Sequence, residues 1–385
     1  MAAGGYALCG GPHRAPWRTG EAAWLGRRLV RCPRPAKKTP QRRRHKEDAS
    51  MTLSLPGFEL PEREAPERAK VEPAVVDQDV AGLAGKIPAL IRIGTSSWSF
   101  PGWDGLVWNG HYTESRLARD GLSAYAQHPL LRTVGVDRTF YRPMDTAELE
   151  AYRAAAGADF SFVVKAHDYL TTAVFPHHPR YGERSGRPSA VFLDAQYAAD
   201  QVIGPLKAGL GETLGVVVFQ FPPQGGGALG GAQELADRLH RFIGELPAGV
   251  AYSIEIRNAG WLTERYVQAL ADAGASHCLS VHPRMPPLAT QARIAAPTFV
   301  HGILCRWNLG HGLEYGAALR SYAPFNRLLA PDEATRQWVA KIAVRGVELE
   351  YPVHIIVNNK AEGSAPLSIA LLAQRIIAIR ARRSP

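Results

Sequence analysis

The chain has 385 residues, 46% hydrophobic and 21% charged, with a formal net charge of +10 at neutral pH. That balance excludes a collagen-like, low-complexity or disulfide-stapled chain and suits one large globular domain. The charge is unevenly spread: residues 1–50 hold 12 Lys and Arg against 3 Asp and Glu, which leaves about +1 for residues 51–385.

Residues 1–50 are rich in Pro and Arg (RCPRPAKKTPQRRRHK) and have no sustained apolar period, so they read as a disordered tail. A secretory signal is not expected, because no apolar core follows the charges. The Arg excess suits a mitochondrial transit peptide, but the prolines and scarce serines do not. On charge alone, nucleic acid is an alternative partner for this tail. Met51 opens MTLSLPGFELPE like a genuine chain start, so the tail also reads as a dispensable or over-extended segment. Residues 51–88 read as a lead-in linker and residues 89–385 as the folded body. The four cysteines, Cys9, Cys32, Cys278 and Cys305, form no CxxC and suit neither a zinc finger nor a disulfide framework. A reducing cytoplasm is the expected location. No apolar run reaches the roughly 18 residues of a membrane span, so no membrane partner is expected.

Along the body, short apolar runs bounded by turn residues predict strands at 89–98, 133–141, 160–167, 214–222, 250–258, 276–282, 298–307 and 353–360. Between them, apolar residues at helical spacing predict helices at 145–156, 190–208, 231–246, 262–274, 332–345 and 365–382. Asp145 and Thr263 stand at N-cap positions, and Gly274 and Gly346 where helices would stop. The stretches 168–190 and 283–297 read as long loops of the kind that contact substrates. Alternation of strand and helix implies a parallel sheet. Eight strands in this length fit a closed (β/α)8 TIM-like barrel in a single α/β domain. An open doubly wound sheet is disfavoured, because the first turn, GTSSWSF, carries neither GxGxxG nor GxxxxGK[ST].

The stretch YSIEIRN tests this expectation. Tyr252, Ile254 and Ile256 alternate with Ser253, Glu255 and Arg257. In a barrel the outward face meets helices and must be apolar, so Glu255 and Arg257 point into the lumen and need partners there.

The succession GTSSWSF, TFYRP, FSFVVKA, GVVVFQFPP, EIRNAGW and IIVNNKAEGSAP resembles the domain-of-unknown-function family 72, the YecE-like family, from about Ile91 to Ala373. The resemblance implies a TIM-like barrel and a bacterial-type cytoplasmic protein, and it hands over no activity. The second strand departs from the family pattern VEINSTFY: here VGVDRTFY places Gly135 at the acidic position and Asp137 at the Asn. Asn258 stands where the family carries a basic or His residue after its EIR segment.

Barrel enzymes keep their sites at the C-terminal strand ends. The polar residues there are Ser96 and Trp98 from strand one, Asp137, Thr139, Tyr141 and Arg142 from strand two, and Lys165 and His167 from strand three. Gln220, Glu255 with Arg257, His282, Arg306 with Trp307, and Asn358, Asn359 and Lys360 follow from the later strands. Glu255, Lys165 and His167 are the expected catalytic groups: Glu255 as acid–base, Lys165 for proton transfer or Schiff-base chemistry, His167 as a second acid–base group. The expected substrate-binding set is Ser96, Trp98, Tyr141, Arg142, Gln220, Arg257, His282, Arg306, Asn358, Asn359 and Lys360. Glu255 with Arg257 also reads as a purely structural ion pair. No cofactor is expected. A divalent metal is the weaker alternative, since no HxH occurs and the His177–His178 pair lies in a loop. Aromatics and cations at one mouth point to an anionic substrate, a phosphorylated sugar or nucleotide-like molecule, handled by hydrolysis or isomerisation. A nucleic-acid-binding or processing protein and a non-catalytic ligand-binding barrel are the rival readings. Oligomeric state leaves no mark on the sequence.

Overall fold

Runs rich in Val, Ile and aromatic residues form the strands, because branched side chains pack well on a pleated surface. The computed structural model describes residues 70–224, 229–310 and 314–383. The expectations for the tail 1–50 and for linker residues 51–69 lie outside the described residues. The strand segments are β1 (Ile91–Thr95), β2 (Thr133–Val136), β3 (Ser161–Lys165), β4 (Leu214–Gln220), β5 (Tyr252–Glu255), β6 (Ser276–His277), β7 (Leu279–Val281), β8 (Ile303–Trp307) and β9 (Val353–Val357).

All pairings are parallel, in the order β6-β5-β4-β3-β2-β1-β9-β8-β7. The two ends of that order are halves of one strand. β6 pairs with β5, β7 pairs with β8, and between them the Cys278 N–H donates to the Ile254 carbonyl. The ring therefore closes through a strand interrupted at Cys278, and the expected eight-stave α/β barrel is what the chain forms.

Several helices carry the caps that the sequence predicts. Asp145 accepts from the Glu148 N–H at 2.8 Å, and Thr263 from the Tyr266 N–H at 3.2 Å. Gly274 ends its helix at φ +75°, a left-handed conformation that glycine adopts without strain. Other expectations are corrected. The stretch 283–297 is not all loop, because Leu288–Ala295 is helical. Its bracketing prolines lie outside the helix, and Gln291 bolts it to β7 through bonds to both the N–H and the carbonyl of Ser280. The stretch 190–208 is not one helix; Ala195–Ala198 runs through a π-turn at Ala199–Ile203 into Gly204–Leu210. Pro205 lacks the N–H that a regular helix would need there. Gly346 does not stop its helix, which runs over Glu333–Glu348. A Cβ at that position would lie 2.4 Å from Cγ2 of Val353, so this glycine serves packing against β9. Part of the linker is also structured: Gln78–Ala84 is a helix against the C-terminal helix Ala365–Ala381. Among the described residues, no helix is long and apolar enough to cross a membrane.

Two cores result from the alternation. Outward residues such as Ile93, Val164, Phe219, Ile254 and Ile355 join the helices in the main core. Inward residues Val163, Val216, Val218, Cys278, Leu304 and Ile356 pack as a separate cluster inside the ring. Below this plug, toward the strand N-termini, lie Ser161, Ser253 and His354. Above it lie Lys165, Gln220, Glu255, Ser280 and Arg306.

Buried neutral histidines make the fold acid-sensitive. Burial pushes His277 and His354 from the ordinary 6.5 down to about 4. Between those values the unfolded chain binds protons that the folded chain refuses, so stability falls as the pH drops from about 6.5 toward 4. The denaturation midpoint in urea is expected to be lower at about pH 4.5 than at about pH 7.5; equal midpoints would contradict this account. The substitution Gly346→Ala gains about 1 kcal/mol of helix propensity. Overpacking against Val353 costs about 1–3 kcal/mol, so net destabilisation is expected in thermal denaturation. A raised Tm would refute it.

Candidate functional site

The centre of the C-terminal mouth is a charge cluster built by alternation on five strands. Glu255, with no exposed surface, ends β5. Arg257 Nη2 lies 2.5 Å from its Oε1, Ser280 Oγ donates to the same oxygen at 3.0 Å, and Asn308 Nδ2 approaches it at 3.3 Å. Arg306 Nη1 bonds to Oε2 and also donates to Gln220 Oε1 at 2.9 Å. Burial pushes the Glu255 carboxyl up, but Arg257, Arg306 and Lys165 outweigh it and hold the group at about 2. A charge stranded here without its partners would cost about 3–5 kcal/mol.

Beside this pair stands a second one. Lys165 Nζ lies 2.9 Å from Asp137 Oδ1, and Arg306 Nη2 lies 3.7 Å from the same oxygen. The Lys165 side chain is 9% exposed and that of Asp137 is 41% exposed, so the second carboxylate faces outward. Burial pulls the Lys165 pKa down and Asp137 restores only part of it. For Asp137, burial raises the pKa, but Lys165 and Arg306 prevail and hold it below the usual carboxylate range. Asp137 borders a cleft of about 270 Å³, also lined by Ser97, Trp98, Ser99, Arg138 and Tyr152. Gly135 lies on the same inward face one pleat lower. A Cβ there would meet the Ser96 carbonyl oxygen at 3.2 Å, so a larger side chain would press on β1.

Other predicted residues sit on the rim of the cluster or elsewhere. His282 is neutral at ordinary pH, held near 4 by burial and then by Arg257. Asn358 donates to Ser96 Oγ at 2.9 Å, which fixes both at the β1–β9 edge of the mouth. His167 faces a different set: its Nδ1 lies 2.8 Å from the Tyr197 hydroxyl and its ring 4.7 Å from that of Tyr169. Burial, then Arg184, push it down to about 4. Trp98 is a packing residue, donating to the Leu117 carbonyl and set edge-on to Tyr152. Arg142 is bound by both Nη atoms to Glu148 on the surface. Tyr141 is exposed, edge-on to Phe140. Asn359 is turned away and buried, and its Oδ1 accepts from Trp103 Nε1 and from the Ala365 N–H. Trp307 is wholly buried, and Lys360 is buried with its Nζ 5.7 Å from the Phe325 ring centre.

Two members of the cluster escaped the sequence reading, Ser280 and Asn308. Both continue the inward parity of their strands, 278-280-282 and 304-306-308, and extending the alternation would have found them. Among the described residues, no three His, Cys, Asp or Glu side chains come together as a metal ion would require.

The model of the family described as "Protein of unknown function DUF72" matches residues 92–384. A solved structure of a DUF72 family protein from Thermotoga maritima MSB8 is 18% identical over 75% of this chain and 99% of that one, with a TM-score of 0.50. Another, from Enterococcus faecalis V583, is 17% identical over 75% and 95%, with a TM-score of 0.47. No curated protein matches the chain. Because the family match begins within the first strand and ends beyond the last helix, this chain belongs to the DUF72 family.

Proposed function

We propose that this barrel is an enzyme that binds a small anionic substrate at its C-terminal mouth and performs acid–base chemistry on it, of the isomerising or hydrolytic kind. The observation that carries this reading is a charge surplus: among the described residues, Lys165, Arg257 and Arg306 form ion pairs with two carboxylates, Glu255 and Asp137. A surplus positive charge, shielded from water by the barrel wall, favours an incoming phosphate or carboxylate group. A phosphorylated sugar or a nucleotide-like molecule fits best, with its anion near Lys165 and Arg306 and its body in the cleft beside Asp137.

Roles divide between the two carboxylates. Glu255 is saturated with donors and stays ionised, so it orients Arg257 and Arg306. Lys165 is the proton carrier: burial lowers its pKa and so eases release of its proton, while Asp137 steadies the protonated form in which it rests. Arg306 then offsets negative charge that develops on the substrate.

Thermal-shift and calorimetric titration of the full chain with sugar phosphates and nucleoside monophosphates, beside their uncharged counterparts, tests the binding claim. Stabilisation is expected only with the anions; equal shifts from the uncharged compounds would end it. Once a turned-over substrate is in hand, Lys165→Met is expected to lower kcat about 100-fold or more. Unchanged turnover would remove Lys165 from the mechanism. The two carboxylates also separate by stability. Glu255→Gln is expected to cost about 3–5 kcal/mol, because it strands two buried guanidinium groups. Asp137→Asn also strands a buried cation, Lys165, but is expected to cost about half as much or less, because an amine can shed its proton where a guanidinium cannot. Equal losses in denaturant titration would contradict this division of roles.

A further inference from the structure

The opposite end of the barrel holds a second polar chamber that the chemistry above does not use. A cleft of about 240 Å³ opens between the strand N-termini, lined by Arg92, Ser161, Ser253, Ser276, His301 and His354, among others. A second cleft of about 440 Å³ adjoins it through Arg92 and carries Arg132 and His128. The apolar plug of Val163, Val218, Leu304 and Ile356 separates both from the C-terminal charge cluster.

The two arginines are the unusual feature. Arg92 Nη1 donates to the Asp159 carbonyl at 2.5 Å and Arg132 Nη2 to the Ala84 carbonyl at 3.0 Å. Among the described residues, neither forms an ion pair with a carboxylate. Burial and then the charge of Arg132 lower the pKa of Arg92, and the Asp159 charge offsets only part of this. The nearby carboxylates, Asp159 and Glu212, are on exposed residues and solvated, whereas both arginines are partly buried. Two half-desolvated guanidinium groups that repel each other form an incomplete site.

The inner wall is polar and preorganised. Ser161 Oγ lies 2.9 Å from His354 Nε2, and both residues are at least nine-tenths buried. Gly215 makes room for them: a Cβ there would lie 2.1 Å from Ser161 Oγ and 2.8 Å from His354 Nε2. His354 is neutral at ordinary pH, so it adds a hydrogen-bonding group without a further charge. Guanidinium forks beside hydroxyl and imidazole groups match the oxygens of a tetrahedral anion.

We infer that the N-terminal mouth is a second anion site, in which Arg92 and Arg132 clamp a phosphate group, free or as a monoester, in the cleft that both line, next to the Ser161–His354 wall of the adjoining cleft. The ligand supplies the negative charge that the fold leaves out. This site is independent of the C-terminal one, so either can fail without the other.

Calorimetric titration of the full chain with inorganic phosphate tests it, comparing wild type, Arg92→Met, Arg132→Met and Lys165→Met. Wild type is expected to bind with a dissociation constant on the order of 1 mM or tighter. Each of the two arginine variants is expected to weaken a phosphate-binding event at least tenfold, while Lys165→Met retains that event. A phosphomonoester that competes for the same event, under the same arginine dependence, identifies the esterified form as a ligand; failure to compete leaves free phosphate as the ligand. No binding of phosphate at about 10 mM would overturn the inference. So would binding that persists unchanged in Arg132→Met, a variant that loses only one partly buried backbone contact and keeps the test open if Arg92→Met fails to fold.

Discussion

Glu255 lies at the centre of a closed ring of strands, out of contact with water, and a carboxylate there must be met by cations and donors. Arg257 from its own strand, Arg306 from β8, Ser280 from β7 and the neighbouring Asn308 meet it. A hydrogen-bonded carboxylate with two guanidinium groups is bearable at this depth; a lone one is not. The pair also constrains the architecture. β5, β7 and β8 must hold a common register for these side chains to meet, and the interruption at Cys278 lets one strand serve both β5 and β8. The electrostatic requirement at the centre and the closure of the ring are one constraint seen at two scales.

Much of this was legible because a strand has a period of two. In YSIEIRN the alternation alone separates Ile254, which meets the helices, from Glu255, which enters the lumen. The same parity placed Lys165, Gln220 and Arg306 at the mouth, and the apolar-run pattern placed all eight staves. What escaped was set by tertiary packing. Gly346 has the composition of a helix stop, but only the proximity of Val353 reveals it as a packing residue inside the helix. The prolines around Leu288–Ala295 look like loop punctuation, and nothing local announces that Gln291 fastens the segment to β7. Asn359 reads as a rim donor beside Asn358, yet the turn after β9 rotates it inward to hold Trp103 and the start of the last helix. Burial sorts identical residue types into different tasks, and one sequence does not print burial.

The inward-facing residues also explain why one lumen can hold two polar ends. Val163, Val216, Val218, Cys278, Leu304 and Ile356 form an apolar plug between Glu255 above and His354 below. Water-free packing of this kind lowers the local dielectric, which strengthens each charge pair at the top and penalises any charge that is left unpaired. It also helps to keep His354, beneath it, neutral. The plug is therefore a condition for both chambers, although it touches no substrate in either.

The division of labour between the two carboxylates follows from magnitudes. Arg257, Arg306 and Lys165 outweigh burial and hold the Glu255 carboxyl well below the usual carboxylate range, so it keeps its charge among its donors at ordinary pH. Lys165 is displaced in the useful direction, because burial brings its neutral form closer to ordinary pH while Asp137 keeps the charged form tolerable. Asp137 in turn is the carboxylate of this cluster with an open side, toward the cleft beside Ser97 and Ser99. The deepest and most heavily bonded acid is the one whose charge is fully met, and the pair beside it is only partly satisfied and reaches the solvent through Asp137.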